Sequence, residues 1–131
     1  MDIVDLIERA EKLGIRVNYR ATRDLEAVIL PSGDLYINTE IVSKQREKEI
    51  LAHEMGHWEA GCFYIHSQDK WVKAKCEYLA DGRAICMLVP KKDLENALVE
   101  GEAEVWELAE RFDVSEHFIR KAIKYYAVAQ R

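Results

Sequence analysis

The sequence is poor in cysteine and proline and has no long apolar run. Its 131 residues include three cysteines and two prolines. An odd number of cysteines without a CxxC pair argues against a disulfide framework and against a thiolate metal site. We therefore predict buried thiols in a reducing compartment at Cys62, Cys76 and Cys86. The chain starts with acidic residues and lacks about 18 consecutive apolar residues, so secretion and membrane insertion are not indicated and a cytoplasmic location is expected.

An excess of positive charge is also missing. The chain has 19 Lys and Arg against 24 Asp and Glu, for a net charge of -5. Because phosphate contacts need clustered cations, this balance argues against direct nucleic-acid binding. The basic residues near the end, Arg120, Lys121 and Lys124, lie beside two tyrosines and are interpreted as a solvated or partner-facing surface.

Hydrophobic residues make up 49% of the chain, which is enough for the core of one domain over residues 1–131. Residues 1–42 are predicted to hold a helix and a small sheet, 43–90 two long helices, and 91–131 further helices. The expected fold class is α+β, with a three-stranded antiparallel sheet packed on a mainly helical domain.

Capping and turn residues give the expected boundaries. Asp2 is predicted to begin the first helix, and the turn Pro31–Asp34 separates two strands of a hairpin. Ser43 caps a helix running to about Trp58, and Pro90 closes the next one because proline cannot extend a helix. The three tryptophans occupy apolar helical positions and are predicted to be core residues: Trp58, Trp71 and Trp106.

The motif HEMGH carries the chemistry. His53 and His57 are four residues apart, so on a helix both imidazoles leave the same face and can bind one cation. Zinc accepts two imidazole nitrogens and a third protein ligand, while a catalytic site keeps one position open for water. Glu54 lies beside the two histidines and is the candidate general base.

Glu77 is predicted to be the third ligand, because the next helix can return antiparallel and present its carboxylate. Asp81 lies one turn later and could accept the outer N–H of a ligand histidine. The alternative is a solvated charged face, which the small residues Ala80 and Ala84 on that face weaken. His66 and Asp81 stay open as other third ligands.

A metzincin site is excluded because its extended motif needs glycine and histidine where this chain has Ala60 and Phe63. Manganese or iron could also occupy a site of two histidines and one carboxylate.

HEMGH followed by CEYLADGRAICMLVP resembles the ImmA/IrrE family of metallopeptidases, and the tail LAERFDVSEHFIRKAI is similar to that family's closing segment. The resemblance implies a gluzincin-like fold, a cytoplasmic zinc endopeptidase, and a role in inactivating a helix-turn-helix repressor of a phage or mobile element.

By analogy with similar peptidases, the strand Leu35–Asn38 would be an edge strand that pairs with an extended substrate. Tyr64 and His66 are candidate oxyanion donors because they follow the motif helix closely.

Three functions remain open: a repressor-cleaving peptidase, an antirepressor that sequesters its partner, and a structural zinc domain. The presence of Glu54 argues against the third, because a structural site has no use for a base.

Overall fold

The structure, a computed structural model, describes residues 1–22, 24–41, 43–62 and 69–129. It confirms the α+β class. The elements in chain order are α1 (Ile3–Lys12), β1 (Arg16–Arg20), β2 (Ala27–Ile29), β3 (Asp34–Asn38), α2 (Lys44–Ala60), α3 (Lys70–Leu88), α4 (Lys91–Val99), α5 (Val105–Phe112) and α6 (Glu116–Ala129).

The helices begin and end where local chemistry predicts. The Asp2 side chain accepts from the backbone N–H of Asp5 at 2.9 Å, and Ser43 accepts from that of Arg46 at 3.2 Å. Each contact satisfies an N–H that has no partner inside the helix. Gly61 ends α2 with φ of 62°, a left-handed conformation that glycine adopts without steric cost.

The sheet is mixed, so the expectation of a wholly antiparallel sheet was wrong for one strand pair. The strand order is β1-β3-β2; β2 is antiparallel to β3, as the predicted hairpin requires, but β1 is parallel to β3. Turn residues determine only the pairing of consecutive strands, whereas the β1–β3 pairing is decided by burial. Leu35–Asn38 therefore lies in the central strand, and β2 is the edge beside α2.

One cluster of buried residues fills the space between the sheet and the helices. The cluster includes Leu35 and Ile37 of β3 and Leu51 and Met55 of α2, and all four are fully buried. Burying each such side chain stabilises the fold by about 1.5–3 kcal/mol. Within the described residues, no helix is long and apolar enough to cross a membrane.

Two of the three tryptophans contradict the prediction that they are core residues. Trp58 packs against the core and donates its indole N–H to the Leu13 carbonyl at 2.8 Å. Trp71 is 84% exposed and Trp106 is 56% exposed. Helical spacing identifies a face of a helix, but it does not say which face meets the rest of the protein.

Candidate metal centre

The site forms where α2 and α3 approach closely. A Cβ atom on Gly56 would lie only 2.5 Å from the Ala80 carbonyl oxygen, so only glycine fits at this crossing. Ala80 and Ala84 are both buried, as expected if small side chains allow the two helices to meet. The backbones are therefore close enough for side chains of one helix to reach those of the other.

Three side chains converge at this crossing. The two Nε2 atoms of His53 and His57 are 3.2 Å apart. Glu77 on α3 places Oε2 3.0 Å from His53 Nε2 and Oε1 3.2 Å from His57 Nε2. Tetrahedral zinc with bonds of about 2.0–2.1 Å holds its ligand atoms about 3.3 Å apart, so the three side chains have the spacing of a zinc site.

Both outer imidazole nitrogens have partners. His53 Nδ1 lies 2.8 Å from Asp81 Oδ1, and His57 Nδ1 lies 3.0 Å from the Cys62 carbonyl oxygen. A carbonyl only accepts, so His57 Nδ1 must carry a proton, which leaves Nε2 as the ring nitrogen that can offer a lone pair to a metal. Lone pairs and carboxylate oxygens this close repel each other unless a proton or cation lies between them. The donor set fits a divalent ion.

The pKa shifts of His53 and Asp81 also favour a positive charge at this position. Burial alone would lower the pKa of His53, but hydrogen bonds with Asp81 and Glu77 raise it to about 9. Burial would raise the pKa of Asp81, and its contacts with His53 and Lys121 outweigh that effect and lower it. The carboxylates around His53 therefore favour a cation at its ring.

Glu54 lies on α2 beside the two histidines, half-buried in the same cleft. Burial raises the pKa of its carboxyl group, while His53 and His57 oppose that shift. A carboxylate whose pKa is raised accepts a proton more readily than one with the ordinary pKa.

The cleft at the site has a volume of about 390 Å³. His53, Glu54, Glu77 and Asp81 line it. The other lining residues were not assigned to the site by sequence reasoning: Glu26, Ala27, Arg46, Glu49, Ile50, Ala84, Phe118 and Lys121. Edge strand β2 therefore borders the cleft through Ala27, whereas central strand β3 does not.

Lys121 was predicted to lie on a solvated or partner-facing surface, but its partly exposed side chain borders the cleft. Its Nζ is 3.2 Å from Asp81 Oδ1, the same oxygen that contacts His53. The signal was present in the sequence, because Lys121 lies one helical turn after the buried Phe118 and so belongs to the inward face of α6.

A buried carboxylate fixes α6 against the motif helix. Glu49 of α2 is 3% exposed and accepts from the Ser115 backbone N–H at 2.8 Å and from its hydroxyl at 3.0 Å. The Ser115 hydroxyl in turn accepts from the Phe118 N–H at 3.1 Å, as expected for a cap. This chain of contacts holds the wall of the cleft that carries Lys121.

Two cysteines contradict the expectation of unpaired thiols. Cys62 and Cys76 form a disulfide, with their Cα atoms 5.5 Å apart, while Cys86 is free and exposed. Sequence spacing did not predict the bond because the partners are 14 residues apart and meet only when α3 packs on α2. The two candidate oxyanion donors, Tyr64 and His66, lie outside the described residues.

A known protein structure has a similar fold. The chain is similar to a solved structure of a Mycobacterium tuberculosis transcriptional regulator, with a TM-score of 0.67 and 15% sequence identity. The match covers 88% of this chain and 39% of that one, so the present chain spans well under half of that protein, and the likeness concerns the fold alone. A search of curated protein sequences finds no significant match.

The family comparison covers most of the chain. The model of the IrrE N-terminal-like domain, Peptidase M78, matches residues 10–124, which include α2, α3 and the whole cleft. The chain therefore belongs to the IrrE N-terminal-like domain family.

Proposed function

We propose that the chain is a zinc-dependent endopeptidase that cleaves and inactivates a helix-turn-helix repressor of a phage or mobile element. The observation that carries the proposal is the convergence of two imidazole nitrogens and a carboxylate within 3.2 Å, beside a second, half-buried carboxylate and an open cleft. A structural zinc site would have no need for the second carboxylate or the cleft.

His53, His57 and Glu77 would hold the ion, which supplies Lewis acidity toward a water molecule and a peptide carbonyl. Asp81 supports this set by holding the His53 ring in the orientation that turns Nε2 into the cleft. The carbonyl of Cys62 does the same for His57. Both histidines are thus oriented before any ligand arrives.

Glu54 would act as the general base. Its carboxylate accepts a proton from the attacking water and later donates that proton to the leaving amine. Glu54 is therefore protonated only between these two transfers. The raised pKa of this carboxyl suits both roles, because a very weak base would not accept the proton and a strong one would not release it.

A substrate would bind as an extended segment along β2. This strand is at the edge of the sheet and borders the cleft through Ala27, so its outer side can accept one more strand. The prediction that Leu35–Asn38 fills this role was wrong, because that segment is paired on both sides. Tyr64 and His66 stay predictions for the oxyanion donor.

Sequestration without cleavage is a second candidate, and one surface of α3 favours it. Trp71, Val72, Tyr78 and Leu79 are large, apolar and exposed on this helix. Exposed apolar groups of this size are typical of protein-binding surfaces. A repressor bound there would be inactivated even if its chain stayed intact.

Cleavage and sequestration are separated by Glu54→Gln, which is nearly isosteric but cannot accept the proton. We expect the variant to keep zinc, fold and affinity for the repressor while losing cleavage, seen by electrophoresis of the repressor after incubation. Derepression of the target promoter is measured in parallel at matched expression. Full derepression by Glu54→Gln with the repressor intact would refute the peptidase and establish sequestration.

A further inference from the structure

The Cys62–Cys76 disulfide joins the two elements that supply the metal-binding side chains. Cys76 directly precedes Glu77 on α3, and Cys62 follows the end of α2. The backbone of Cys62 is bound to His57 twice: its N–H donates to the His57 carbonyl at 3.0 Å, and its carbonyl accepts from His57 Nδ1 at 3.0 Å. One covalent bond therefore connects the residue that orients His57 to the residue beside Glu77.

We propose that Cys62 and Cys76 form a reversible thiol–disulfide site that sets the metal affinity of the centre. The reaction partner is a small thiol and its disulfide dimer. The inference rests on the proposed metal centre, but the formation of the disulfide can be measured without any metal.

The two half-cystines differ in access, which determines the order of the steps. Cys76 is 3% exposed, whereas Cys62 is only half-buried. An external thiolate attacks Cys62 Sγ, the Cys62–Cys76 bond breaks, and the Cys76 thiolate leaves and takes up a proton. A second thiolate attacks the external sulfur of the mixed disulfide, which releases Cys62 as a thiol and the small thiol as its disulfide dimer. Oxidation is the reverse.

Breaking the bond changes what holds the ligands in place. The disulfide restricts how far the Cys62 carbonyl and Glu77 can move relative to each other, and both must keep their positions for His57 and Glu77 to meet one ion. After reduction, only non-covalent packing holds them. Outer groups that orient a ligand contribute about 10 to 100-fold in metal affinity, and we expect the disulfide to contribute in that range.

The test compares wild type, the double variant Cys62→Ser/Cys76→Ser, and Cys86→Ser as a matched control that removes the exposed free thiol. Each is treated with oxidised glutathione or with a phosphine reductant, which is then removed. Alkylation and mass measurement count the free thiols, and competition with a chromophoric chelator gives the affinity for Zn²⁺. Reduced wild type needs no mutation, so the test holds even if the double variant fails to fold.

We expect oxidised wild type and oxidised Cys86→Ser to bind Zn²⁺ about 10 to 100-fold more tightly than their reduced forms, with no redox effect in the double variant. Failure of oxidised glutathione to close the bond, or equal affinities in the two states, would overturn the proposal. If the disulfide closes but neither the oxidised nor the reduced protein binds Zn²⁺, the metal centre is refuted, and so is the effect of the disulfide on metal affinity.

Discussion

Substitution of Gly56 by alanine tests whether the close approach of α2 and α3 creates the metal centre. The added Cβ would lie 2.5 Å from the Ala80 carbonyl oxygen, whereas ordinary contact begins at 3.4 Å. Because the obstructing atom belongs to backbone, the helices must move apart by about 0.9 Å. His53 and His57 would move with α2 and Glu77 with α3.

That displacement exceeds what a metal site tolerates. Ligand distances in a working site vary by only about 0.2 Å, so a separation near 0.9 Å removes Glu77 from the shell or distorts it severely. Overpacking lowers the free energy of unfolding by about 1–3 kcal/mol, and the better helix propensity of alanine offsets up to about 1 kcal/mol of that loss. We therefore expect a folded protein, modestly destabilised, whose zinc affinity falls at least 100-fold.

Gly82→Ala is the matched control. Its Cβ would meet the ring of Tyr125 on α6 at 2.8 Å, so it crowds α3 without separating it from α2. Zinc affinity from chelator competition and the free energy of unfolding from urea titration are measured for both variants. Wild-type zinc affinity in Gly56→Ala, or equal losses of affinity in both variants, would refute the idea that this contact determines the ligand geometry.

The remaining predictions concern the ligands, their support and pH. His53→Ala, His57→Ala and Glu77→Ala should each reduce zinc content sharply by elemental analysis, because two protein ligands leave the shell incomplete; full occupancy in Glu77→Ala would disprove the third ligand. Asp81→Ala should keep the fold by circular dichroism and weaken zinc binding by about 10 to 100-fold, and an unchanged affinity would remove its supporting role. Since the pKa of His53 is raised from 6.5 to about 9, its contribution to the stability of the metal-free protein should be present below pH 6.5 and lost as pH rises through 9. Zinc competes with the same proton, so its affinity should rise with pH up to about 9 and then level off; calorimetric titration that shows no rise would contradict the assignment.

Local sequence determined the elements and the chemistry of each side chain. Spacing on a helix placed His53 and His57 on one face with Glu54 beside them, and a single helical turn separates Glu77 from Asp81. Caps such as Ser43 marked the helix ends because they satisfy backbone groups within a few residues. These features depend on hydrogen bonds and side-chain periodicity within one element, which a sequence displays directly.

The tertiary structure alone decided how the elements meet. It paired β1 with β3 in parallel, exposed Trp71 and joined Cys62 to Cys76.

These outcomes depend on which faces of distant segments bury the most apolar surface together, and that is a property of the whole chain. The sequence by itself therefore identified three residues with the chemistry of metal ligands, His53, His57 and Glu77. Only the packing of α2 on α3, with Gly56 against Ala80, brought their ligand atoms within 3.2 Å of one another.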